Sequence, residues 1–108
     1  MNVSKFGLSN FTHRTGVLFT VAAGVAGWVD TDVSAVTGLD TTKVWLISCE
    51  SSPGGGIVGA RPHGSALEPE LNAQLVTSTL SKVDSTGHMD LRRIAGHDTK
   101  YTFIGYFE

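Results

Sequence analysis

The sequence predicts an all-β protein, a single antiparallel β-sandwich of jelly-roll type with about seven or eight strands. Three observations carry this expectation. Apolar and polar residues alternate with period two over several short stretches. Clusters of Gly, Asp, Ser, Thr and Pro punctuate those stretches at regular spacing. No stretch has the 3.6-residue period of an amphipathic helix, and residues 66–75 have room for a turn or two at most. A chain of 108 residues is the length of one such domain. Residues 1–108 are therefore assigned to one sandwich, with 1–15 as an N-terminal arm.

Taken in order, residues 1–15 are polar and irregular, with Phe6, Leu8 and Phe11 available to dock the arm. Asn2-Val3-Ser4 and Asn10-Phe11-Thr12 match the glycosylation acceptor pattern, which is too short to be informative. Residues 16–29 (GVLFTVAAGVAGWV) follow basic residues as a signal peptide would, and are too short to span a membrane. Their single leucine, central threonine and three glycines favour a strand over 17–22 that bends at Gly24 and Gly27. In residues 28–35 (WVDTDVSA), Asp30 and Asp32 fall on one strand face. The pair invites calcium, but the third oxygen ligand, the glycine and the distant Glu of an EF-hand loop do not follow. Residues 36–42 form a turn region.

Residues 43–50 (KVWLISCE) are the clearest buried strand, with Trp45 and Cys49 inside. The SSPGGG run at 51–56 has no following helix and no Lys-Ser/Thr, so it reads as a hairpin tip rather than a phosphate loop. Residues 57–65 (IVGARPHGS) form a strand that leaves the sheet at Pro62, which has no N–H for a ladder. A turn at His63-Gly64-Ser65 and a loop through Pro69 follow. Residues 74–83 (QLVTSTLSKV) are a Thr-rich strand, and residues 84–87 a turn with glycine last, as a type I turn prefers. Residues 88–95 alternate Met89, Leu91, Arg93 and Ala95 against His88, Asp90, Arg92 and Ile94. After a turn at Gly96-His97-Asp98, residues 99–107 place Tyr101, Phe103, Gly105 and Phe107 on one face and Thr102, Ile104 and Tyr106 on the other. Both faces are bulky, so Tyr101, Phe103, Ile104 and Tyr106 are assigned to a subunit interface as well as to closing the core.

Composition narrows the function classes. The net charge of −2 and a pI near 6.0, with basic residues scattered apart from Arg92-Arg93, argue against nucleic acid or an anionic membrane as the main partner, and no membrane insertion is expected. Charged residues make up only 17%, with Ser and Thr abundant, a balance that suits a surface partly hidden in an oligomer. One cysteine excludes an internal disulfide and leaves the redox compartment open. No cofactor is expected.

Two constellations carry potential chemistry. His88-x-Asp90 puts two ligands on one strand face, and His97-Asp98 lies across the following hairpin, so His88, Asp90, His97 and Asp98 form the metal set. Trp28, Asp30, Asp32 and Arg61 form the ligand-binding set, and Trp28, Trp45, Tyr101 and Tyr106 are the aromatics available as stacking platforms for a glycan, although the place of Trp45 in KVWLISCE favours the core. No nucleophile elbow is present, and no catalytic residue is assigned.

The order of WVDTDVSAVTG, KVWLISCE, VGARPHGS, HMDLRR and YTFIGYF resembles small β-sandwich modules of phage and virus structural proteins, such as tail-fibre, spike and virion accessory domains. The resemblance covers residues 28–107. It implies a non-enzymatic module that assembles with itself, often as a trimer, and presents a receptor- or glycan-binding surface on a virion or extracellularly. It assigns Arg61 and Gly64 to the strand-to-loop exit and Gly105-Tyr106 to the closing strand. The chain departs from such modules before Trp28 and has no coiled coil or shaft repeat to enforce a trimer. A free-standing carbohydrate-binding module is the rival expectation, and a small metal-dependent enzyme a third.

Overall fold

Nine strands follow one another in the computed structural model, which describes residues 11–51, 56–67, 71–73 and 76–108. They are β1 (Phe11–Val21), β2 (Gly27–Asp32), β3 (Val44–Ser51), β4 (Gly56–Val58), β5 (Ala60–Pro62), β6 (Leu71–Ala73), β7 (Val76–Ser81), β8 (His88–Arg93) and β9 (Thr99–Phe107). The fold is all-β, and every strand pair is antiparallel. The hairpin tip expected at the triple glycine and the loop at Pro69 lie outside the described residues, as does all of the expected arm up to residue 10.

Pairing shows how the chain is wound. β1 pairs β9, β2 pairs β8, β3 pairs β7 and β4 pairs β6, so the two halves fold onto each other as one long hairpin. Rolling that hairpin brings β3 against β9 and β5 against β8. The result is a four-stranded sheet ordered β1-β9-β3-β7, opposed by β2-β8-β5 and the short β4-β6 pair. This nesting is jelly-roll winding, which pairs first strand with last and works inwards.

The core lies between the inner faces. Trp45, Ile47, Cys49, Tyr101 and Phe103 from the four-stranded sheet are fully buried, as are Met89, Leu91 and Val58 from the opposing strands. Burial pushes the Cys49 thiol up to about 12, so it stays a protonated, inert small hydrophobe. Tyr101 crosses the sandwich. Its hydroxyl donates to the Arg92 carbonyl at 2.6 Å and accepts from the Gly59 N–H at 3.4 Å. Burial holds that phenol above its ordinary pKa, so it remains a donor. Across the turn that links the two sheets, Gly87 N–H donates to the Asp84 carbonyl at 3.1 Å, and Gly87 takes a φ of +83°, where a side chain would be strained.

Two expectations change here. The first strand begins at Phe11 instead of Val17, because Phe11, Thr12 and His13 continue the ladder against Phe107, Tyr106 and Gly105 beyond an irregularity between His13 and Val17. The second change concerns the closing strand. Gly105 pairs with Leu46 but Phe103 pairs with Ile47, leaving Ile104 as the extra residue of a β-bulge. The bulge resets the alternation, so Tyr106 turns inward with Tyr101 and Phe103 instead of opposing them. Tyr106 and Phe103 both stack edgewise on Trp45, with ring centroids 4.9 and 5.6 Å away. Tyr101, Phe103 and Tyr106 are core residues of this subunit, and the interface assigned to them is corrected; Ile104 is half-buried.

Candidate functional site

The outer face of the β2-β8-β5 sheet gathers the polar chemistry of the molecule. Strand alternation aims Val29, Met89, Leu91 and Ala60 inward, so Trp28, Asp30 and Asp32 of β2 face outward beside Arg92, Asp90 and His88 of β8. Arg61 of β5 lies opposite Asp90, and His63 follows from the turn after Pro62.

At the centre, Asp30 and Asp90 are direct cross-strand partners. Like charges directly opposite in an antiparallel pair destabilise it unless they are compensated. The compensation comes from three sides. Arg61 Nε donates to Asp90 Oδ2 at 3.0 Å, His63 Nδ1 lies 2.7 Å from Asp90 Oδ1, and His88 Nδ1 lies 2.8 Å from Asp30 Oδ1. His63 Nδ1 is also 3.6 Å from Asp30 Oδ1, so it sits between the two carboxylates.

Arg61 and His63 cover Asp90, which is 5% exposed although it points away from the core. Burial alone raises the pKa of that carboxyl, but the hydrogen bonds from His63 and Arg61 outweigh it and hold the group below the ordinary carboxylate range. His63 is raised above the ordinary histidine range by its hydrogen bond to Asp90, and His88 by its hydrogen bond to Asp30. Arg61 is itself held in place. A terminal nitrogen donates to the Leu67 carbonyl at 2.7 Å, and the guanidinium lies 4.3 Å over the Trp28 ring, with that of Arg92 at 5.9 Å.

The ligand-binding set expected from the sequence, Trp28, Asp30, Asp32 and Arg61, thus lies together on this face. The stacking platforms do not. Trp45 and Tyr101 are fully buried and Tyr106 nearly so, which leaves Trp28, half-buried and covered by Arg61, as the one tryptophan on the outer face. The expected metal set is also divided. His88 and Asp90 sit in the first half of β8, while His97 bridges Ile94 beyond the strand's far end, roughly 20 Å from His88 and roughly 13 Å from Asp90 at about 3.3 Å per residue. Asp98 instead accepts from the Ala23 N–H at 2.9 Å and ties down the β1–β2 connection.

His63 takes the place of His97. Its signal in the sequence is the alternation Arg61-x-His63, which continues the outer face of β5 past Pro62. Among the described residues, Asp30, His63 and Asp90 present ligand atoms within 4.8 Å of one another. Comparison with protein-family models, curated proteins and solved structures finds no match for this chain.

Proposed function

We propose that the chain is a non-enzymatic structural or attachment module of a phage- or virus-like particle, assembling with copies of itself through one sheet face and presenting the other. The supporting observation is the chemical contrast between the two outer faces. On the four-stranded sheet, the outward paired positions hold Leu18, Leu46, Leu80, Val76, Phe11 and Phe107 among serines and threonines. Leu18, Leu80 and Val76 are 52, 53 and 63% exposed, an apolar content that is unusual on one flat face without a partner. The ionic groups there are His13 and the cross-strand pair Glu50–Lys100. A second copy suits this face, because a Glu–Lys pair is complementary to itself when two copies meet about a symmetry axis. At the β7 edge, Leu80, Val44, Ala60, Pro62 and Leu67 line a pocket together with Arg61, Ser81 and Lys82.

The particle setting rests on the resemblance of the sequence motifs, since fold alone does not name a function. The test is solution mass with Leu18→Lys and Leu80→Lys combined. The account expects an oligomer that the double variant dissociates while remaining folded. Glycan binding is the second reading, favoured by the meeting of Trp28, Asp30, Asp32 and Arg61 on one face. It expects a sugar-array signal that Trp28→Ala abolishes, and an array without signal for the wild-type protein removes it.

A further inference from the structure

We propose that Asp30, His63 and Asp90 form a binding site for a divalent transition-metal ion of the zinc class, with His88 and Arg61 as the residues that position the ligands. The inference is independent of the assembly reading and stands on the geometry of the charged face.

Three observations converge. First, the ligand atoms are already gathered: His63 Nδ1 is 2.7 Å from Asp90 Oδ1 and 3.6 Å from Asp30 Oδ1, and the three residues offer ligand atoms within 4.8 Å of one another. Metal–ligand bonds of about 2.0–2.2 Å at tetrahedral angles place ligand atoms about 3.4 Å apart, so shifts of under roughly 1 Å suffice. Second, each carboxylate is oriented by another group. Arg61 holds Asp90 Oδ2 at 3.0 Å and leaves Oδ1 facing His63, while His88 Nδ1 lies 2.8 Å from Asp30 Oδ1. Ligating carboxylates are themselves hydrogen-bonded in metal sites, and Arg61 and His88 stand where such outer-shell partners stand. Third, the ladder places Asp30 and Asp90 directly opposite each other, so two carboxylates face one point, and a divalent ion there would take over compensation that His63 otherwise supplies only as a hydrogen-bond donor.

An imidazole nitrogen among the ligands selects zinc, cobalt, nickel or copper over calcium and magnesium, which take oxygen. Three protein ligands leave the fourth tetrahedral position to water or to an oxygen of a bound ligand.

The probe is the metal alone. Protein stripped with chelator is titrated calorimetrically with zinc chloride, and Co²⁺ is added separately to read the visible absorption of a tetrahedral site. The site predicts one ion per chain and a tetrahedral Co²⁺ spectrum. His63→Ala and Asp30→Asn lose both, with the fold confirmed by circular dichroism. His97→Ala leaves binding unchanged, and His88→Ala, acting through Asp30, weakens affinity by about 10- to 100-fold. Calcium chloride at the same concentration gives no heat. Absence of zinc binding by the wild-type protein overturns the proposal. So does zinc binding that survives His63→Ala together with Asp30→Asn, or that is lost equally in His97→Ala.

Discussion

The two outer faces of the sandwich are built on the same antiparallel ladder but solve different problems. The β1-β9-β3-β7 face carries Leu, Val, Phe, Ser and Thr with one Glu–Lys pair and a single histidine. The β2-β8-β5 face carries Asp30, Asp32, His88, Asp90, Arg92 and Arg61 around Trp28. On the first, exposed Leu18, Leu80 and Val76 stand among serines and threonines, and the proposed assembly rests on that surface. On the second, Arg61, His63 and His88 compensate Asp30 and Asp90, to the point that Asp90 is buried on an outward-facing position. Surface chemistry, more than strand geometry, separates what this fold hides from what it shows.

The largest expected effect comes from breaking the charged face at its centre. Asp90→Ala strands Arg61 and His63 without their shared carboxylate, and Arg61 is itself only 14% exposed in its side chain. Removing one partner of a buried ion pair costs about 3 kcal/mol, to be read from urea unfolding. Asp90→Asn, which keeps the shape and part of the hydrogen bonding, is expected to cost less.

A smaller loss is expected where the neutral face is tightest. A Cβ added at Gly105 would lie 2.3 Å from the Thr12 carbonyl oxygen and 2.6 Å from the Phe11 ring. Backbone cannot yield as a side chain tip does, so Gly105→Ala is expected to cost about 1–3 kcal/mol in the same assay. An unchanged unfolding midpoint would mean that the β1–β9 approach is looser than described.

The smallest effect tests the turn that joins the two sheets. Asp84 Oδ1 accepts from the Thr86 hydroxyl and the backbone N–H groups of Thr86 and His88. The Thr86 side-chain hydrogen bond, followed by that from the His88 backbone, holds the carboxyl below its ordinary pKa. A depressed folded-state pKa stabilises above the unfolded value of about 3.9 and is lost as pH falls through the folded one. The stability gap between the protein and Asp84→Ala should therefore be constant near neutrality and close in acid. A gap that widens on acidification would contradict this role.

Much of the fold was legible because strand period and turn chemistry are local. The strand expected over residues 43–50 forms as Val44–Ser51, the exit at Pro62 ends β5, and Asp84–Gly87 makes its turn. The bulge at Ile104 was not legible, because a bulge is a mismatch in count between two strands and neither strand encodes it alone. Missing it made Tyr106 look outward and suggested that the closing strand needed a neighbour on its aromatic side.

The site was half legible for a similar reason. Alternation puts Asp30 and Asp32 on one strand face, and cross-strand pairing brings Arg61 to the same side, but His97, the nearest histidine to His88 along the chain, is not its neighbour in space. The partner of His88 is Asp30, 58 residues away in sequence, and Asp90 meets His63 across 27. Jelly-roll winding pairs distant segments, so proximity in sequence misleads most where the nested hairpin is deepest.

The central claim is that the neutral face is made for a second copy of the chain, and solution mass tests it most directly. Light scattering on the purified protein is expected to give at least twice the 11.4 kDa chain mass, at a whole-number multiple of it. The Leu18→Lys and Leu80→Lys double variant is expected to fall to the monomer, with stability changed by no more than about 0.5 kcal/mol when measured on the dissociated chain. A wild-type protein that scatters as a monomer, or an oligomer that the double variant leaves intact, contradicts the account.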